Sequence, residues 1–289
     1  TNAGNYSSLD VCENGSFILD QAVVTNNSGL LWSGGDGTFV PSNDVLYPSY
    51  EPGPLDNGNV TLTLTATGTA SCTVDATSDI TLVVQPLPTS HAGSNASICQ
   101  GDPYDFAFAV IPADSSSCTS VKWITSGTGT FNDPQLLFPV YTPNPGYIGD
   151  DTLSLIAYGV LPCVGNDTSF MILTVDSIPT GNFTYSPIDT CCVAELVAFN
   201  ANSTCVINTW SWDYGDGEIG TGQSTTHAYD YGDSTFMVSL TLLNAYGCTT
   251  TLIDSVYVDS VFTDFTMQSA VCLDETAVFN GTGDDITFT

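Results

Sequence analysis

The feature that most constrains this chain is a set of landmarks that returns after 91 residues. One segment runs WSGGDGTF from Trp32 to Phe39, then Tyr47-Pro48-Ser49-Tyr50-Glu51-Pro52, then LTLTA from Leu62 to Ala66, then Cys72. A second runs WITSGTGTF from Trp123 to Phe131, then Phe138-Pro139-Val140-Tyr141-Thr142-Pro143, then LSLIA from Leu153 to Ala157, then Cys163. Trp32 and Trp123, Tyr50 and Tyr141, Ala66 and Ala157, and Cys72 and Cys163 each stand 91 residues apart. Pro88-Thr89 and Pro179-Thr180 close the two segments at the same spacing. Landmarks repeated in order at one period mark two copies of one domain. A different unit follows. FTYSPIDTCCVAELVAFNANST, from Phe183, is echoed by FTMQSAVCLDETAVFNGTG, from Phe265, with Phe199-Asn200 and Phe279-Asn280 separated by 80 residues. The expected division is 1–88, 89–179, 180–260 and an incomplete unit 261–289. That last unit stops near the start of its third strand. It is expected either to continue in a longer chain or to be completed by a strand from another molecule.

Between the landmarks the side chains alternate apolar and polar. NVTLTLTAT from Asn59, SDITLVV from Ser78, DTLSLIAY from Asp151, SFMILTV from Ser169, LVAFNA from Leu196, STFMVSLTLLN from Ser234 and LIDSVYV from Leu252 all do so. Period-two alternation rich in Val, Ile, Thr, Phe and Tyr predicts half-buried strands. Clusters of Gly, Asn, Asp and Pro separate them as turns. No segment keeps a 3.6-residue period. Many short strands in units of this size predict an all-β chain of tandem antiparallel sandwiches with immunoglobulin-like topology.

The most specific stretch is WSWDYGDG, Trp210 to Gly217. Trp210 and Trp212 lie two apart, so a strand turns them to one side, and at least one is expected in a core. Asp213 begins the exit from the strand, and Asp216-Gly217 is expected to supply the positive-φ turn. Here the chain resembles the PKD domain, whose signature W-D-F-G-D-G is followed by H-x-Y and G-x-Y-x-V-x-L-x-V. This sequence has WDYGDG, then His227-Ala228-Tyr229, then YGDSTFMVSLTLLNAYGC. It departs at Tyr214 and in Asp-Ser-Thr-Phe after Gly232. The resemblance covers about residues 180–260, and makes the units Ig-like, Ig-like, PKD-like and partial PKD-like. The first two resemble the Ig-like repeats that alternate with PKD domains in very large surface proteins of Bacteroidota, gliding adhesins among them. VCENG, WSGGDGTF and YEPGP carry this in the first unit, and ICQGD, WITSGTGTF and YTPNPG in the second. The resemblance implies binding, adhesion or spacing, with secretion through an outer-membrane export machine.

Charge narrows the partners. Lys122 is the one basic residue against 31 acids, and the net charge is -30. Phosphate must be neutralised by Lys or Arg, so nucleic acid is excluded as an expected partner, and an anionic membrane surface with it. No apolar run reaches 18 residues, so no membrane insertion is expected. Ten cysteines without C-x-x-C spacing point to disulfides in an oxidising compartment rather than to zinc. No signal peptide precedes Thr1, which reads as a mature or excised piece of a longer secreted protein. N-x-S/T sequons begin at Asn5, Asn14, Asn26, Asn59, Asn95, Asn166, Asn182, Asn202 and Asn280. Asp followed by Ser or Thr and an aliphatic residue, at Thr152, Ser177, Ser255 and Ser260, resembles the O-glycosylation signal of Bacteroidota.

The chemical readings are few. Asp213 and Asp216 lie three apart on a turn, whereas a glycosidase pair needs carboxylates about 5 to 9.5 Å apart across a cleft. His91 and His227 lie near no G-x-S-x-G elbow or reactive Cys pattern, and no phosphate or dinucleotide loop occurs. His227 is read as packing and hydrogen bonding. No catalytic residue and no cofactor is expected. Calcium suits carboxylate oxygens, and Asp213, Asp216, Asp230 and Asp233 are its candidates. Loops after the second and sixth strands of an Ig-like sandwich share one end, so Cys118 with Cys163 and Cys205 with Cys248 are expected to meet. Cys12, Cys99, Cys191, Cys192 and Cys272 precede the second strand, at the other end. Three routes are open to them: the later cysteine of their own unit, as the family's two-cysteine pattern implies for Cys12 with Cys72, a neighbouring domain, or another subunit.

Short proline-bearing joints, Pro86-Leu87-Pro88-Thr89 and Ile178-Pro179-Thr180, predict a stiff row of sandwiches. The expected function is non-enzymatic. It is a secreted, glycosylated, disulfide-bonded cell-surface filament or adhesin stalk, whose partners are its own copies or neighbouring domains. The alternative is a carbohydrate-binding or spacer region of a secreted enzyme, which would expose coplanar aromatics in a groove.

Overall fold

The computed structural model of the chain describes every residue except 72, 189–194, 231, 233, 259–263, 268–278 and 283–289. It divides into two compact units, Thr1–Val175 and Asp176–Thr289. The described residues are all-β apart from one short 3-10 turn.

The first unit holds two sandwiches. The first has β1 (Asp10–Cys12), β2 (Phe17–Ile18), β3 (Gly29–Ser33), β4 (Thr38–Val40), β5 (Ser49–Glu51), β6 (Gly58–Thr67) and β7 (Ala76–Gln85). One sheet runs β1-β7-β6-β3 and the other β2-β5-β4. The long β6–β7 hairpin pairs Leu62 with Ile80 and Leu64 with Ser78. Its alternation turns Val60, Leu62 and Leu64, with Ile80, Leu82 and Val84, onto Trp32 and Tyr50. Pairing is antiparallel except between β1 and β7. No hairpin joins these two strands, so no turn dictates their relative direction.

The second sandwich repeats the plan. It has β8 (Thr89–His91), β9 (Ala96–Cys99), β10 (Tyr104–Asp105), β11 (Asp114–Ser116), β12 (Cys118–Thr125), β13 (Thr130–Phe131), β14 (Val140–Thr142), β15 (Gly149–Gly159) and β16 (Asn166–Asp176). Its sheets run β12-β15-β16-β9, β10-β14-β13 and β11-β8. Trp123, Tyr141, Leu153, Leu155, Met171 and Leu173 fill the core. The 3-10 turn Phe106–Phe108, capped by Asp105 through the Ala107 amide, inserts Phe106 against Trp123 at 4.2 Å. Strand alternation gave no hint of this turn.

The second unit has β17 (Gly181–Ile188), β18 (Glu195–Ser203), β19 (Ile207–Asp213), β20 (Ile219–Thr221), β21 (Ser224–Tyr229), β22 (Ser234–Asn244) and β23 (Thr249–Val258). The sheets run β17-β18-β21 and β20-β19-β22-β23. Trp212, Phe199, Tyr229, Val238, Leu240 and Leu242 lie between them. β24 (Asp264–Met267) and β25 (Phe279–Thr282) form an antiparallel pair.

Candidate functional site

Each sandwich turns a corner on one plan: a tryptophan inside, glycines at the bend, and a tyrosine hydroxyl held by its surroundings. In the first, the Trp32 indole donates to the Leu46 carbonyl at 3.4 Å. In the second, the Trp123 indole donates to the Leu137 carbonyl at 3.2 Å, so donor and acceptor both shift by the repeat length. The Tyr50 hydroxyl donates to Asp56 Oδ2 at 2.5 Å and accepts from the Gly37 amide at 2.8 Å. Asp56 also accepts from the amides of Asp36 and Gly53, each at 2.8 Å. The Tyr141 hydroxyl donates to Asp151. Asp151 accepts in addition from Thr125 at 2.7 Å, Ser126 at 3.0 Å and the Gly127 amide at 2.9 Å. Burial, then the neighbouring carboxylate, push Tyr50 and Tyr141 each up to about 12. Burial would raise the Asp56 carboxyl, but the Tyr50, Gly53 and Asp36 donors outweigh it and hold it low. These carboxylates are saturated with donors, which suits a structural node rather than a proton-transfer group. Glycine is required beside them: a Cβ at Gly35 would lie 1.8 Å from the Tyr50 hydroxyl, and one at Gly129 2.2 Å from that of Tyr141.

Asp56 and Asp151 escaped the sequence reading. A signal existed for Asp151, since it shares the inward parity of Leu153, Leu155 and Ala157 on β15. A carboxylate only 1 % exposed must find donors.

The WSWDYGDG corner follows the same logic with other groups. Trp212 is buried and its indole donates to the Gly222 carbonyl at 2.8 Å, while Trp210 is half-buried at the core margin. The positive-φ residues are Gly215 (83°) and Gly217 (100°), not Asp216 as expected. A residue with a Cβ pays strain at positive φ, whereas glycine does not. Asp216 instead uses its side chain: Oδ1 accepts from the Glu218 amide at 3.0 Å, and Oδ2 lies 2.6 Å from His227 Nε2. The His227 ring stacks on Tyr214 at 4.0 Å and meets the edge of Tyr229 at 4.5 Å. Tyr229 closes the corner by donating to the Tyr214 carbonyl at 3.1 Å. His227 belongs to β21 and Asp216 follows β19, so this pair joins the two sheets. Burial alone would raise the Asp216 carboxyl. The Glu218 amide and the His227 ring outweigh it and hold the carboxyl below the usual range. Asp213 Oδ1 accepts from the Gly215 amide at 3.0 Å.

Among the described residues the calcium candidates are not assembled into a ligand set. Asp213 and Asp216 are engaged by their own turn and by His227, Asp230 is exposed, and Asp233 lies outside the described residues. Among the described residues no group of three or more His, Cys, Asp or Glu could hold a metal ion.

The cysteines correct two expectations. Cys12 is bonded to Cys163, across 151 residues of sequence. Cys163 therefore does not take Cys118, which is free although its strand reaches the same end, paired with Gly159. Cys205 is free, which excludes the expected Cys205–Cys248 bond, and Cys248 is disulfide-bonded, as is Cys99. Cys12 does not pair with Cys72, which lies outside the described residues with Cys191, Cys192 and Cys272. The reason is strand placement. β1 runs beside β7 with Cys12 opposite Gln85, at the end from which the chain leaves for the second sandwich. The β15–β16 turn carrying Cys163 meets it there, with its sulfur 3.1 Å from the Gln85 carbonyl oxygen. Just past the joint, within the second sandwich, Asp167 on β16 holds the start of β8, accepting from the Ser90 amide at 2.7 Å and hydroxyl at 2.9 Å.

The glycosylation candidates separate by exposure. Asn5, Asn14, Asn26, Asn59, Asn95, Asn166, Asn182 and Asn202 are all exposed. Ser255 and its Asp254 are exposed on β23, whereas Thr152 and Ser177 are half-buried beside buried Asp151 and Asp176. Ser260 and the Asn280 side chain lie outside the described residues. Among the described residues no helix is long and apolar enough to cross a membrane.

No curated protein matches this sequence. Among solved structures, the chain is similar to the N-terminal eight Ig domains of Down Syndrome Cell Adhesion Molecule. The identity is 9%, the TM-score 0.39, and 88% of this chain and 41% of that one are covered. It is similar to human CDH23 EC21-23 at 10% identity and TM-score 0.38, covering 85% of this chain and 96% of that one. It is also similar to Sidekick-1 immunoglobulin domains 1-4 at 12% identity and TM-score 0.29, covering 90% and 74%. At this likeness the fold stands on the strand pairing described above. Residues 182–259, which include the WDYGDG corner, match the PKD domain.

Proposed function

We propose that this chain is a non-enzymatic structural segment of a secreted, cell-surface protein, part of an extracellular filament or adhesin stalk. The observation that carries this reading is the Cys12–Cys163 disulfide between consecutive sandwiches. Such a bond persists in oxidising compartments and is reduced in the cytosol. The match of residues 182–259 to the PKD domain agrees with it. In this reading the chain is built as 1–88, 89–179, 180–260 and 261–289, and the exposed sequons carry glycans. Its partners are further copies or neighbouring domains, as in the large Bacteroidota surface proteins that the motifs resemble. Trp32, Trp123 and Trp212 lie inside cores, which speaks against the alternative of an aromatic carbohydrate-binding groove.

Electron microscopy of the native material, at a resolution that shows single domains, tests the proposal. Ordered fibres repeating this chain, or surface-anchored threads of beads, support it. A reduced, intracellular protein recovered from fractionated cells sinks it.

A further inference from the structure

We propose that the Cys12–Cys163 disulfide is a force bypass, carrying a pull from the start of the chain straight into the second sandwich. Two covalent routes leave the first sandwich at the same end. One is the peptide through Pro86-Leu87-Pro88, between β7 and β8. The other is the sulfur bridge, because Cys12 stands opposite Gln85, the last residue of β7. Cys163 lies in the turn just before β16, and β16 is the strand that ends the unit. Entry segment, bridge and exit strand are therefore in series. Tension passes along residues 1–12, through the bridge, and out along residues 163–176.

The residues between the two cysteines lie off that path. They include the Trp32 and Tyr50 core, the Trp123 and Tyr141 core, and both tyrosine–aspartate nodes. Of the long strands, only β16 lies on the path. Without the bridge, the same pull must cross β7, the proline joint and the whole second sandwich. Hydrogen-bonded strands yield to a load far sooner than a sulfur–sulfur bond does, so the bridge sets how much chain a pull can release. Its usefulness rests on the filament or stalk role proposed above. The bypass itself is a property of the connectivity.

Optical tweezers on the full chain test this, with handles at the N-terminus and at Thr180, an exposed residue shortly after β16. In the oxidised wild type the 151-residue span should stay hidden at every force below bond rupture. Cys12→Ser should extend further by up to about 50 nm, the length of that span at about 3.3–3.6 Å per residue, less the length that the Cys99 disulfide still closes. Stepwise releases in that variant report sandwiches that were folded before the pull. If the variant shows none, reductant added to a folded wild-type tether opens the Cys12–Cys163 bond together with that of Cys99, and the full gain of about 50 nm is expected. Equal lengths with and without the bond overturn the bypass while leaving the stalk reading standing. A linked peptide joining Cys12 to any cysteine other than Cys163 also overturns it. Failure of the stalk reading in cells would leave the length difference intact.

Discussion

Single residues hold the three corners. Gly35 has a φ of 67° and sits where a Cβ would overlap the Tyr50 hydroxyl. Gly35→Ala should cost about 2–4 kcal/mol, read as a lower denaturant midpoint by tryptophan fluorescence. An unchanged midpoint would mean that the Tyr50–Asp56 node is not formed. Tyr141→Phe removes one donor from a carboxylate that keeps Thr125, Ser126 and Gly127. That loss should cost about 1–3 kcal/mol. The Asp216 pair has a pH signature. Its folded-state pKa is lowered, so its contribution is present above the unfolded value of about 4 and is lost as pH falls through the folded value. Asp216→Asn should therefore flatten the acid limb of the stability profile below about pH 4, measured by urea unfolding. Identical limbs would show that the His227 contact contributes nothing. Tyr50 and Tyr141 act at the other extreme. Raised to about 12, they favour the fold fully below the unfolded value of about 10, and that contribution disappears as pH rises through the folded value. Their phenolate absorbance should emerge together with alkaline unfolding, not before it.

At the scale of the element, the two faces of a strand have different jobs. Leu155 on β15 points into the core, whereas Phe170, opposite Ser154 on the neighbouring strand, is 67 % exposed. Leu155→Ala should cost about 2–5 kcal/mol through lost burial and a residual cavity. Phe170→Ala should stay within about 0.5 kcal/mol, as surface changes away from special features do. The pair is read by thermal and urea unfolding of both variants. Similar losses at the two sites would mean that the Phe170 face is not free in the folded protein. Trp32, Trp123 and Trp212 also lie inside. Alternation along the strand set only Trp210 and Trp212 on one side, with at least one expected inside; the burial of Trp32 and Trp123, and of Trp212 rather than Trp210, was decided by the tertiary structure. The 3-10 turn at Phe106–Phe108 was not readable, because three residues are too few to show a period.

At the scale of the whole molecule, charge dominates. A net charge of -30 with one lysine makes every surface repel every other. Salt should raise the melting temperature by screening, with most of the gain below about 0.15 M, where the Debye length falls to about 8 Å. Calcium and magnesium at matched ionic strength should act alike, since the described aspartates form no ligand set. An excess stabilisation by calcium, measured calorimetrically, would point to a site outside the described residues.

Periodicity and repetition determined the fold class, the repeated landmarks and the expectation that at least one tryptophan of WSW lies in a core. These follow from local rules: side chains alternate along a strand, glycine tolerates positive φ, and a duplicated sequence repeats its contacts. The tertiary structure alone decided which sulfurs meet and what satisfies the buried acids. Cys12 reached Cys163 rather than Cys72 because β1 pairs with β7 and so ends at the exit of its sandwich. Asp56, in the turn before β6, and Asp151, near the start of β15, each return to a tyrosine on the preceding strand, Tyr50 and Tyr141, because the intervening turn folds the chain back over the core. The cysteine partners lie 151 residues apart, and nothing in the composition of either segment names the other.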